Sequence, residues 1–100
     1  MRKMSSKRTL LSAEELSQRA EHLPHWKIVE QKKLARSFRF PDFQTGLDFV
    51  NRIGAIAEKQ GHHPDLTLSW GKVEVETSTH DAGGLTEQDF LLASSIDQLK

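Results

Sequence analysis

The longest unbroken pattern in this sequence, residues 43–60, reads as one amphipathic helix, and it separates the chain into two similar halves. Asp42 is a suitable N-cap, because its carboxylate can accept a free amide of the first turn. At about 100° per residue, Phe43, Gly46, Leu47, Phe49, Val50, Ile53, Gly54, Ile56 and Ala57 fall on one half of the wheel. Gln44, Asp48, Asn51, Arg52 and Lys59 occupy the other. An apolar arc this wide predicts packing against a sheet, with a second partner at its edge near residues such as Phe49. Gly61 is a natural helix terminator and Pro64 prevents the helix from resuming, so His62 and His63 lie in a short connection.

On either side of this helix the period changes from helical to alternating. Upstream, Ser12 and Glu15 form a capping box ahead of a helix over residues 13–21, which Pro24 ends. Residues 26–30 and 34–40 then read as short strands. Leu34, Phe38 and Phe40 lie on one side of the second strand and Ala35, Ser37 and Arg39 on the other, with Arg36 on the apolar side. Downstream, Leu66, Leu68 and Trp70 alternate with Thr67 and Ser69. After Gly71, Val73, Val75, Thr77 and Thr79 alternate with Glu74, Glu76 and Ser78, which predicts a hairpin turning at Trp70-Gly71. Residues 81–85 contain Gly83-Gly84 and read as a loop. Thr86 and Asp89 repeat the capping pattern before a helix over residues 90–99 with Leu92, Ile96 and Leu99 as its buried row. The order α-β-β-α-β-β-α, with connections too short for crossovers, predicts an α+β fold: a four-stranded antiparallel sheet with three helices on one face.

A chain of 100 residues is one domain, here residues 10–100, preceded by a basic, polar, disordered arm over residues 1–9. Size scaling leaves only ~60–65% of the unfolded surface buried, so self-association as a dimer or tetramer is expected. Lys+Arg and Asp+Glu both number 14, and this balance argues against nucleic-acid or anionic-membrane binding. The absence of cysteine removes disulfides and thiolate chemistry, and fits a cytoplasmic protein. The few apolar residues before Ser12 are too few for a signal peptide or a membrane span.

Three of the five histidines, His62, His63 and His80, fall at the two outer ends of the predicted second hairpin, which strand pairing brings together. Imidazole titrates near pH 6.5, so such a cluster suits proton transfer in both directions. A simpler reading makes His62 and His63 helix C-terminal caps and His80 a solvated strand-end residue on the Glu74–Glu76 side. A metal site is a further reading, since three imidazoles can hold zinc. It is weakened by the opposite directions of adjacent side chains and by the lack of His-x-x-x-His and of cysteine. Glu58, four residues before His62, can accept a ring N–H, or can be an exposed helical glutamate. Asp89 can cap the last helix, face inward near Leu92, or do both.

The run Ala57-Glu58-Lys59-Gln60-Gly61-His62-His63-Pro64, followed by Val73-Glu74-Val75, Ser78-Thr79-His80-Asp81, Gly84-Leu85-Thr86 and Asp89 to Ile96, resembles the signature of the pterin-4a-carbinolamine dehydratases. Leu11-Ser12-Ala13-Glu14-Glu15, Trp26, Phe38-x-Phe40 and Asp42-Phe43 extend the resemblance over nearly the whole chain. It implies a hydro-lyase that removes water from a 4a-hydroxytetrahydropterin, with no cofactor and no metal. It further implies His62, His63 and His80 as catalytic residues, Gly61 and Ser78, Thr79, His80 and Asp81 beside His62 and His63 around the substrate, and Glu58 and Asp89 as supporting residues. A protein partner, a hydroxylase or a regulatory protein, is a second implication. Two positions vary from the common pattern: Trp70-Gly71 stands for Tyr-Asn, and Gly61 for an acidic residue, removing a side chain from the pocket edge.

Overall fold

Helix starts follow the capping side chains. In α1 (Ala13–Ala20), Ser12 Oγ accepts the Glu15 amide at 3.1 Å while Glu15 Oε1 accepts the Ser12 amide at 2.8 Å. The helix stops at Ala20 rather than at residue 21, because its last turn tightens: the amides of His22 and Leu23 bond back three residues, to Arg19 and Ala20. The computed structural model describes residues 9–100, so the arm expected over residues 1–9 lies outside the described residues except for Thr9.

The second helix, α2 (Phe43–Gln60), has the expected bounds, with Asp42 accepting the Thr45 amide at 2.8 Å. The Thr45 side chain, and after it the Thr45 amide, hold the Asp42 carboxyl below the usual carboxylate range. A depressed folded-state value stabilises the protein fully above the unfolded value of about 3.9. That contribution fades as pH falls through the folded value. Asp42→Asn keeps a capping acceptor and removes the titration. Thermal midpoints measured down the acid limb should therefore fall less steeply in the variant; identical slopes would contradict this account.

The sheet runs in the order β1-β2-β4-β3, all neighbours antiparallel, from β1 (Lys27–Val29), β2 (Lys33–Arg39), β3 (Asp65–Ser69) and β4 (Lys72–Thr77). Most strands begin or end a residue or two away from their expected bounds, for local reasons. The Trp26 amide is taken by the Leu23 carbonyl, and Glu30 and Gln31 turn the first hairpin with φ of 52° and 61°, a left-handed pair suited to a tight hairpin. Trp70 leaves β3 for the turn and is 72% exposed.

All three helices lie on the face formed by Leu34, Phe38, Val73 and Val75, with α3 (Glu87–Asp97) adding Leu92, Ala93 and Ile96 to the core. The third helix starts at residue 87 rather than 90, since Thr86 and Asp89 form its capping box. From α2 the buried residues are Gly46, Phe49, Ile53 and Ala57. A side chain at Gly46 would bring its Cβ to 3.1 Å from Leu68 Cδ1, so the glycine allows the close approach of α2 to β3. Phe49 is not an edge residue: it packs its ring at 4.8 Å from Phe38 and 5.0 Å from Phe40. Burying each such ring contributes about 1.5–3 kcal/mol, with a further ~0.5–1.5 from ring contacts. The exposed edge of the arc is Phe43, at 45%.

Arg36 sits on the helix-covered face because it has partners there. Its guanidinium donates to Asp97 Oδ1 at 2.7 Å and lies 4.2 Å from the Phe38 ring centroid, while Trp26 Nε1 donates to the same carboxylate oxygen at 2.8 Å. One carboxylate thus ties the end of α3 to the sheet.

Candidate active site

Gly61 ends α2 with φ of 68°, and its amide and that of His62 both bond to the Ala57 carbonyl, at 2.9 and 3.2 Å. Beyond this reversal the two histidines face opposite ways. His62 turns inward, 8% exposed, and its Nε2 lies 2.6 Å from Asp89 Oδ1. His63 turns outward, and its Nε2 meets Glu58 Oε2 at 2.5 Å in an exposed pair. Glu58, four residues before His62, therefore reaches His63 instead. A pair this open adds little stability.

Asp89 is fully buried and does both things its position suggested. It closes the capping box of α3, with Oδ2 accepting the Thr86 amide at 3.0 Å, and it faces inward to His62. Two hydroxyls complete its surroundings: Thr77 donates to Oδ1 and Thr79 to Oδ2, each at 2.7 Å. Thr79 Oγ1 also lies 2.8 Å from Thr86 Oγ1. Every one of these threonines is 2% exposed or less. Thr77 and Thr86 were not singled out for chemistry by the sequence. The available signal was weak: Thr77 shares the buried parity of Val73 and Val75, a hydroxyl where an apolar side chain is expected.

β4 does not continue as a regular strand to Thr79. The strand ends at Thr77, and Thr79 makes an isolated bridge to Gly84, its amide donating to the Gly84 carbonyl at 2.8 Å. The intervening residues fold into a 3-10 turn, His80–Ala82, followed by Gly83 at φ of 80°. This turn presents His80, exposed, beside Asp81. Gly61, His62, His63, Ser78, Thr79, His80 and Asp81 together line an open pocket of about 320 Å³. A hollow of about 390 Å³ on the uncovered sheet face, among Ser37, Thr67, Glu74 and Glu76, contains none of the three clustered histidines. His62, His63 and His80 all line the 320 Å³ pocket, whereas the 390 Å³ hollow carries His25 with Asp65, Glu74 and Glu76. Among the described residues no group of three or more His, Cys, Asp or Glu is disposed to hold a metal ion, and no helix is long and apolar enough to cross a membrane.

An imidazole anchored by a buried carboxylate, with two more histidines lining the same pocket, is an arrangement that can give and take protons. Residues 9–99 match the family described as Pterin 4 alpha carbinolamine dehydratase. A Rubrobacter xylanophilus protein carrying that dehydratase name is 49% identical over 89 residues, which cover 89% of this chain and 83% of the relative. One from Chlorobium limicola is 46% identical over 87 residues, covering 84% and 77%. The crystal structure of a transcriptional coactivator/pterin dehydratase from Brucella melitensis superposes with a TM-score of 0.84 at 31% identity, covering 89% of this chain and 96% of that one. A pterin dehydratase-like RuBisCO assembly factor of the alpha-carboxysome, 21% identical with a TM-score of 0.62, shares the fold. The chain belongs to the pterin 4 alpha carbinolamine dehydratase family, and its class is that of the hydro-lyases.

Proposed function

We propose that this protein converts 4a-hydroxytetrahydropterin to quinonoid dihydropterin and water, in the recycling of tetrahydropterin after aromatic amino-acid hydroxylation, by acid–base catalysis from His62, His63 and His80. The observation that carries the reading is the pocket lined by all three imidazoles, one of them held by the buried Asp89. In the reaction the C4a–O bond breaks and the oxygen leaves as water after taking a proton from an acid. The N5 electrons form the C4a=N5 bond while the N5 proton passes to a base. Rings that titrate near neutrality can supply both groups. Gly61, Ser78, Thr79 and Asp81 complete the substrate pocket, Asp89 orients His62, and Glu58 orients His63. The reading includes a cytoplasmic location.

The test is direct: purified protein added to a freshly generated 4a-carbinolamine should speed the decay of its absorbance above the spontaneous rate. No acceleration over a range of protein concentrations would overturn the assignment.

Self-association and binding of a protein partner form a second part of this reading. Support comes from the outer edge of α2, where Phe43 is 45% exposed, and from relatives whose names join the dehydratase fold to a transcriptional coactivator and an assembly factor.

A further inference from the structure

With Asp89 ionised, the hydrogen bonds around it fix where each neighbouring proton lies. Each threonine hydroxyl has a single hydrogen to give. Thr77 gives its own to Asp89 Oδ1, and Thr79 gives its own to Oδ2. The 2.8 Å contact between the Thr79 and Thr86 hydroxyls must then be donated by Thr86, whose oxygen also accepts the Gln88 amide at 3.3 Å. With the Thr86 amide on Oδ2 as well, three donors converge on this carboxyl, an environment made for the acceptor-only carboxylate form. The remaining acceptor position, on Oδ1, faces His62 Nε2 at 2.6 Å. A carboxylate there requires an N–H from the ring.

We infer that Thr77, Thr79 and Thr86 are positioning residues that lock neutral His62 in its Nε2–H tautomer, leaving the lone pair on Nδ1. Thr86 orders Thr79, and Thr77 and Thr79 fill the Asp89 lone pairs that would otherwise let the carboxylate rotate or take up a proton. His62, one of the residues that line the pocket, then enters the reaction as a proton acceptor at Nδ1, and Asp89 faces the imidazolium that forms. The inference rests on the dehydratase reading for its consequence in turnover, but not for the tautomer itself.

The tautomer can be read in the wild-type protein, with no activity measurement, from 15N shifts and two-bond couplings of the His62 ring at a pH where it is neutral. Nε2 should carry the proton. A ring protonated at Nδ1 overturns the inference even if the enzyme is active; an inactive enzyme with the Nε2–H pattern overturns only the dehydratase reading. Thr77→Val keeps the side-chain shape and removes the donor. It should produce a mixed tautomer and lower kcat by about tenfold, the lower end for lost outer-shell partners of an oriented histidine, with KM changed less. Thr77→Ser, which restores the donor, should recover both. An unchanged ring signature and kcat in Thr77→Val would remove Thr77 from this role.

Discussion

Replacing His80 by alanine is expected to lower the rate of carbinolamine dehydration by ~10²-fold or more, the low end for loss of a general acid–base group. The His80 side chain is exposed on a 3-10 turn, so the variant should fold normally and the loss should be catalytic. His62→Ala is expected to lose at least as much. It also deprives the fully buried Asp89 of one donor, which should reduce stability by about 1–3 kcal/mol. Urea unfolding of both variants separates the two effects: His80→Ala should share the wild-type midpoint, and His62→Ala should not. If the double variant retained wild-type activity, acid–base catalysis by these rings would be wrong.

Removing Asp89 should have the largest effect on stability. Asp89→Ala leaves the buried His62, Thr77 and Thr79 without their common acceptor, and opens the capping box of α3. Each buried donor left without an acceptor costs about 1–3 kcal/mol, and this substitution orphans several at once. Asp89→Asn is the more informative variant. Its amide is nearly isosteric but turns one acceptor into a donor aimed at groups that are themselves donors, so it should be destabilised and slow together. Denaturation midpoints and initial rates on the same preparations would check this. A stable, fully active Asp89→Asn would show that the carboxylate neither supports the fold nor orients His62.

The local elements of the fold were legible in the sequence because their causes are local. Ser12 with Glu15, Asp42, Gly61, and Thr86 with Asp89 mark helix ends by short-range hydrogen bonds. The alternation from Val73 to Thr79 marks a half-buried strand whatever lies above it. The three histidines were likewise found from their place at the ends of one hairpin. Element bounds shift by a residue or two for local reasons, whereas the surroundings of particular side chains depend on contacts made across the fold. The helical wheel puts Phe49 toward the edge of the arc, but Phe38 and Phe40 enclose it. Spacing allows Glu58 to meet a histidine ring without saying which; the left-handed turn at Gly61 sends His62 inward and leaves His63 to meet it.

By itself, then, the sequence determined the order of elements, the fold class and the residue types available for proton transfer, since these depend on periodicity and on side-chain chemistry. Only the tertiary structure decided which histidine is anchored. That depends on Asp89 of α3 arriving beneath the end of α2 while Thr77 and Thr79 point to it from β4 and the segment beyond it. Hydrogen bonds are made over about 3 Å, and a separation of 27 residues between His62 and Asp89 says nothing about such a distance until the sheet and helices are packed.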